Sequence, residues 1–341
     1  MRAPDFWRHD GALARLLSPL SLAWQLAGSA RRAVTTPQRV GVPVFCVGNL
    51  VAGGAGKTPV VLWLLELLAA RGFKPAALTR GYGGSVAGPL LVDPARHDAA
   101  TVGDEALLLA RSAPTWVARD RLDGAREAIE EGAEVIVMDD GFQNPGLAKD
   151  FSLLVIDSAY GLGNSRVMPA GPLREVAATG LARADAVVLI GEKALGETEK
   201  NLIDRAGLPL LRAHLVPRDR ALAEALKGQP VYAFAGIGRP EKFFATLTAL
   251  GAELAGRDSF ADHQAYDAAT LRRLESAAAA AGARLVTTAK DAARLGPALP
   301  PGTAVLDVDL QWEDKGALLR LLEPHLPPPA PETAAPMIST E

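Results

Sequence analysis

From residue 42 onward, short apolar runs alternate with longer stretches whose apolar positions recur at helical spacing. The runs at 42–47, 75–79, 114–118, 134–139, 152–157 and 185–190 have the length and continuous apolarity of strands covered on both faces. Between them, 57–71, 103–112, 120–131 and 194–206 carry the helical period. This alternation predicts an α/β fold built on a mostly parallel sheet. A second block follows Gly228-Gln229-Pro230, with strands near 231–235, 284–288 and 303–308 and helices near 239–250 and 267–282. The polar, charged stretch 215–229 separates the two blocks. The pattern therefore predicts a core domain over 41–222, a second, smaller α/β domain over 223–323, and a Pro-rich disordered tail over 324–341.

Residues 11–30, GALARLLSPLSLAWQLAGSA, depart from this alternation. They are mostly apolar and flanked by Arg2, Arg8, Arg31, Arg32 and Arg39. A transmembrane helix needs about 20 nearly uninterrupted apolar residues, and Arg15, Pro19 and Gln25 interrupt these. A secretory signal is set aside, because export would carry the nucleotide site described below out of the cytoplasm. Two readings stand for the 1–40 segment. Its helix lies in the membrane interface, with Leu13, Leu16, Leu17, Leu20 and Trp24 dipping inward and arginines meeting anionic headgroups. Or it packs as a terminal helix on the protein's own core.

Composition adds exclusions. The 341 residues suit about two domains. With 49% hydrophobic and 22% charged residues and a net charge of −3, the chain has no basic excess, so nucleic acid is not an expected partner. The single Cys46 excludes an intrachain disulfide and fits a reducing compartment.

The strand at 42–47 runs into NLVAGGAGKTP, residues 49–59. A strand, a glycine-rich turn and a Lys-Thr opening a helix make a phosphate cradle. Val51, Ala52, Gly53, Gly54, Ala55 and Gly56 would surround the phosphates, Lys57 would reach the outer ones, and the Thr58 hydroxyl would ligate Mg²⁺. The core is thus a P-loop NTPase-type domain with a nucleoside triphosphate as the expected ligand. One position is unusual: the common pattern has glycine where Val51 stands.

The strand at 134–139 ends in Asp139-Asp140, the acid that completes a P-loop site by holding Mg²⁺. Residues 102–109, VGDEALLL, place Asp104 and Glu105 at a helix start, either as charges favoured by the helix N-terminus or as carboxylates that orient a hydroxyl acceptor. Arg80 and Tyr82 in TRGYGG and Arg166 and Arg174 in NSRVMPAGPLRE sit in glycine-rich loops and could meet phosphate or sugar. Of five histidines, only His263, in SFADHQAYD, stands beside an acid in a loop between helical segments.

Read from these residues, the chain fits a kinase of small molecules, or a regulatory P-loop GTPase or metallochaperone. The latter would carry a guanine-reading Asn/Thr-Lys-x-Asp, and Thr288-Ala289-Lys290-Asp291 has the wrong spacing. A more specific reading comes from resemblance. VGNLVAGGAGKTP, LTRGYGG, VGDEALLL, MDDGFQN, RVMPAGPLRE, FAGIGRPEKFF, FADHQAY and LVTTAKDAARL occur in the order found in the tetraacyldisaccharide 4′-kinase family, the lipid A 4′-kinases of Gram-negative bacteria, and the chain resembles that family over 42–295.

The resemblance implies transfer of the γ-phosphate of Mg-ATP to the 4′-hydroxyl of a tetraacylated glucosamine disaccharide 1-phosphate, giving lipid IVA. It implies a P-loop core and a smaller α/β domain joined by a two-stranded linker. Asp104 would be the base, and His263 would orient it and tune its pKa. Thr58, Glu105 and Asp139 would lie on the metal side, and Tyr82, Asp140 and Arg174 would map onto functional positions. The apolar N-terminal helix would associate with the cytoplasmic face of the inner membrane as a peripheral anchor. Three positions depart from the family pattern: Asn144 replaces a histidine, Ala289 a glutamate and Gly84 an arginine. Asn144 can hydrogen-bond but cannot carry a proton.

Overall fold

All six apolar runs of the first block become strands, and all six are buried along their whole length. The structure, a computed structural model, describes residues 4–327. Among the described residues the strands form two sheets. The strands in chain order are β1 (Val44–Gly48), β2 (Pro75–Thr79), β3 (Leu90–Leu91), β4 (Thr115–Val117), β5 (Val135–Asp139), β6 (Phe151–Asp157), β7 (Ala186–Ile190), β8 (Leu210–Pro217), β9 (Pro230–Ala235), β10 (Glu253–Ser259), β11 (Arg284–Thr288), β12 (Ala304–Leu306) and β13 (Val308–Trp312).

The nine-stranded sheet has the order β13-β8-β7-β6-β1-β5-β2-β4-β3. It is parallel except for its two edge pairings, β3 with β4 and β13 with β8. β1 lies between β5 and β6, where the strand order reverses, and a crevice opens at such a point beyond the strand C-termini. The helix Lys57–Ala70 seals one face with Val60, Val61, Leu64, Leu65 and Leu68, all buried in one apolar cluster with Phe45, Val137 and Val155. The four-stranded sheet, β10-β9-β11-β12, is parallel and has its own core around Phe243, Phe244, Leu247 and Val286.

Packing divides the chain differently from the expected 223–323 block. After β12 the chain returns to the large sheet: β13 pairs with β8, and Leu310, Leu318 and Leu322 join the core of the P-loop helix. Trp312 and Trp63 pack with ring centroids 4.9 Å apart. The reason is apolar burial. The helix Lys315–Leu322 has an apolar side that the four-stranded sheet does not cover. β8 and β13 are the antiparallel pair through which the chain leaves and re-enters the large sheet. The expected tail over 324–341 also begins later, since Glu323–His325 forms a short helical turn and His325 packs 5.3 Å from Phe151. The remainder of that tail, 328–341, and residues 1–3 lie outside the described residues.

The apolar N-terminal stretch is a helix, Ala12–Val34. Its small, polar side faces the protein: Ser21 accepts from the Ala170 amide at 3.2 Å and donates to the Val167 carbonyl at 2.6 Å, and Ser18 accepts from Arg166 at 2.8 Å. Leu13, Leu16, Leu20, Leu22, Trp24 and Leu26 are exposed, Leu16 by 75%. The helix therefore meets the protein through Ala14, Ser18 and Ser21 and leaves most of its leucines exposed. No helix among the described residues is long and apolar enough to cross a membrane.

Candidate active site

The glycine turn after β1 leads directly into the helix Lys57–Ala70. Gly53 (φ 108°) and Gly56 (φ 84°) take left-handed conformations that a side chain would strain, and Gly56 immediately precedes the helix Lys57–Ala70. Val51 has a local explanation. It makes an antiparallel bridge with Leu173, and its side chain is buried among Leu50, Leu173 and Phe142. The Ala52 amide donates to the Pro172 carbonyl at 2.8 Å, so the loop is buttressed where glycine is usual. Inside the turn, Lys57 Nζ lies 3.4 Å from Asn49 Oδ1 and 3.5 Å from Asp140 Oδ1. Thr58 follows it on the first helical turn.

β5, next to β1, ends at Asp139. Both its carboxylate oxygens are buried without a hydrogen-bond partner, and burial, then the nearby Glu105 charge, push its pKa well above the ordinary carboxylate range. A cation beside such a group would stabilise its charged form. Among the described residues no three His, Cys, Asp or Glu side chains are arranged to hold a metal by themselves. Asp140 has φ 50° and is held differently: Arg174 grips it with two bonds, 2.8 and 3.0 Å. Burial would raise the Asp140 carboxyl, but Lys57 and Arg174 bring it down to about 2.

The second acid pair lies where the two sheets meet. Asp104 is the first residue of the helix Asp104–Leu109, and Gly103, not Asp104, is its cap. The carboxylate is 2% exposed and turned to the four-stranded block. His263 Nδ1, from the loop after β10, donates to it at 3.1 Å. Arg294, from the helix Ala289–Leu295 after β11, donates through Nε at 3.0 Å. Lys290, one turn earlier on that helix, lies 3.1 Å from Glu105 and 3.4 Å from His263 Nε2. Burial works to raise the Asp104 carboxyl, yet the His263 hydrogen bond and the charges of Lys290, His263 and Arg294 hold it down at about 2. Asp104 Oδ1 remains a buried acceptor without a hydrogen bond. His263 itself has φ 60°, a conformation a non-glycine residue takes only under constraint. The Tyr82 ring lies 5.0 Å from the His263 ring and is otherwise exposed.

The expected residues thus fall into two adjoining groups. Lys57, Thr58, Asp139, Asp140 and Arg174 surround the phosphate loop; Asp104, Glu105, His263 and Tyr82 line the seam between sheets. Lys290 and Arg294 had no expected role. Their spacing of four residues, which puts both on one helical face, is the signal that could have marked them. The departures are structural. Asn144 accepts from the amides of Gly146 and Leu147, holding its own turn, and Ala289 is buried at the helix start. At Gly84 a Cβ would meet the Thr101 carbonyl oxygen at 2.6 Å.

Comparison with known proteins now adds to this geometry. A family model described as Tetraacyldisaccharide-1-P 4′-kinase, LpxK, matches residues 13–326. The chain is similar to the tetraacyldisaccharide 4′-kinase of Rhodospirillum centenum, 55% identical over 96% of this chain and 97% of that one. It is also similar to that of Paramagnetospirillum magneticum, 54% identical over 95% and 98%. Among solved structures, LpxK from Aquifex aeolicus in complex with ATP aligns with a TM-score of 0.73 and 27% identity, covering 92% of this chain and all of that one.

Proposed function

This chain belongs to the tetraacyldisaccharide 4′-kinase family, and from that premise we propose how its residues carry out the reaction. It is an ATP-dependent kinase that transfers the γ-phosphate to the 4′-hydroxyl of tetraacyldisaccharide 1-phosphate, forming lipid IVA in lipid A biosynthesis. The observation that carries the reading of the site is the meeting of Asp104, on a helix of the large-sheet block, and His263, in a loop of the four-stranded block, beside a phosphate loop.

The loop amides from Val51 to Gly56, with Lys57, hold the nucleotide phosphates. Thr58, Asp139 and Glu105 would hold Mg²⁺, which when bound offsets phosphate charge; the two orphaned Asp139 oxygens support this assignment. Lys57 leaves Asp140 for the outer phosphate, and Arg174 keeps Asp140 paired. Asp104 Oδ1, buried without a hydrogen bond and 3.1 Å from His263 Nδ1, takes the hydrogen bond of the 4′-hydroxyl and aligns its oxygen with the γ-phosphorus. A carboxylate near 2 is a weak base. That suffices here, because phosphoryl transfer passes through a loose transition state in which the hydroxyl proton leaves late. His263 fixes the carboxylate's orientation, and Tyr82 offers an exposed ring beside it for the sugar.

The N-terminal helix lies in the membrane interface on the cytoplasmic face of the inner membrane, where the acylated substrate resides. The exposed leucine and tryptophan side of the helix supports this, as do Arg15 and Arg31 on the same element. The test is transfer of labelled γ-phosphate to the disaccharide 1-phosphate. Asp104→Ala and His263→Ala should lose transfer while still binding ATP; full turnover in either would remove that residue from the mechanism.

A further inference from the structure

Arg239 stands in FAGIGRPEKFF, a segment that carries resemblance but no part in the mechanism above. It precedes the helix Pro240–Ala249 and so belongs to the four-stranded block. Its guanidinium nevertheless reaches into the phosphate loop. Nε donates to the Gly54 carbonyl oxygen at 3.1 Å, and Nη2 donates to the same atom. Nη1 lies 3.0 Å from Asp157 Oδ1. Asp157 ends β6, the neighbour of β1, is 3% exposed, and takes Lys242 Nζ on its other oxygen at 2.7 Å. Burial would raise the Asp157 carboxyl, but Arg239 and Lys242 hold it below the ordinary range. The guanidinium also rests on the Tyr160 ring, 5.2 Å from its centroid. The loops touch directly: a Cβ on Gly238 would lie 3.1 Å from the Gly54 nitrogen.

A peptide unit is planar and trans, so the Gly54 C=O and the Ala55 N–H point in opposite directions. A phosphate cradle works through N–H groups turned inward. The unit between Gly54 and Ala55 follows Gly53-Gly54, where glycines let a peptide plane turn at little steric cost. A cation fixed to the Gly54 oxygen from outside removes that freedom. We propose that Arg239 is a positioning residue of the nucleotide site: by holding the Gly54 carbonyl it turns the Ala55 N–H toward the phosphates. It does so only while the four-stranded block lies against the large sheet, so ATP affinity depends on that contact. This rests on the phosphate-loop reading given above.

Lys242 makes the discriminating control, because it ties the same Asp157 to the same block without touching the loop. Calorimetric titration of the full chain with Mg-ATP compares wild type, Arg239→Ala, Arg239→Lys and Lys242→Ala, with melting curves checking that each is folded. We expect Arg239→Ala to bind ATP about tenfold or more weaker, the scale of a lost charge-assisted hydrogen bond. Arg239→Lys should fall between it and wild type, since one ammonium cannot hold Gly54 and Asp157 together. Lys242→Ala should stay within about twofold of wild type, and the acceptor KM should be unchanged throughout. Should Arg239→Ala not fold, the lysine variant carries the comparison alone. Wild-type affinity in the Arg239 variants overturns the proposal, as does an equal loss in Lys242→Ala, which would make both residues struts between blocks. If the wild type itself binds no ATP, the phosphate-loop reading fails instead.

Discussion

Replacing Asp104 by asparagine separates what its charge does for the fold from what it does for transfer. In the folded protein the carboxyl is held at about 2 against an ordinary 3.8. At about 1.4 kcal/mol per pH unit, that difference is worth about 2 kcal/mol of stability at neutral pH. The side chain is 2% exposed, so solvent screening removes little of it. The sign follows from a depressed acid: the contribution is complete above 3.8 and is lost as pH falls through about 2. Urea unfolding of wild type and Asp104→Asn should therefore differ by about 2 kcal/mol at pH 7, the gap narrowing below about pH 4. Transfer, by contrast, should fall by about a hundredfold or more at every pH, with ATP binding retained. Because the carboxylate stays ionised, wild-type kcat should show no acid limb from this group between pH 5 and 8. A variant as stable as wild type at pH 7, or a gap that widens on acidification, would refute the electrostatic account of the pair.

Other consequences follow from the same geometry. Leu16→Glu with Leu20→Glu alters exposed positions, so melting should hardly change; flotation with anionic liposomes should be lost, each leucine contributing about 1.5–3 kcal/mol of burial in the bilayer. Restoring the family arginine with Gly84→Arg should destabilise the fold by about 2–3 kcal/mol, because the Thr101 carbonyl oxygen and the Gly103 nitrogen lie 2.6 and 2.8 Å from the new Cβ. Unchanged melting of Gly84→Arg would show that this backbone yields. Asp139→Asn removes a buried carboxylate whose oxygens have no hydrogen bond, so without metal at pH 8 it should melt no lower than wild type. It should also lose most of the magnesium-dependent gain in ATP binding; a full gain would take Asp139 off the metal.

Much of the site could be read along the chain because it depends on local pattern. A strand, a glycine turn and Lys57-Thr58 are contiguous, and the apolar run ending at Asp139 has the same character. Asp157 ends β6 in the same way, yet its partners Arg239 and Lys242 come from the other sheet, and no local pattern couples positions so far apart. Asp104 and His263 are separated by 159 residues and were joined only through family resemblance. The edges of the sheets were hardest to read. β10, ELAGRDS, alternates exposed and half-buried positions and carries charges, and β8 and β13 are half-buried strands whose pairing depends on the chain's late return. The apolar character of residues 11–30 was plain, but which side faced the protein was decided by Ser18 and Ser21, whose partners lie in the 165–170 loop.

The most direct test of the central claim follows labelled phosphate from ATP to the acceptor, using purified protein, Mg²⁺ and tetraacyldisaccharide 1-phosphate in mixed micelles. The account expects the label on the 4′-oxygen with wild type and none with Asp104→Ala, although both bind ATP. Label released only as inorganic phosphate by wild type, or transferred equally well by Asp104→Ala, would contradict it.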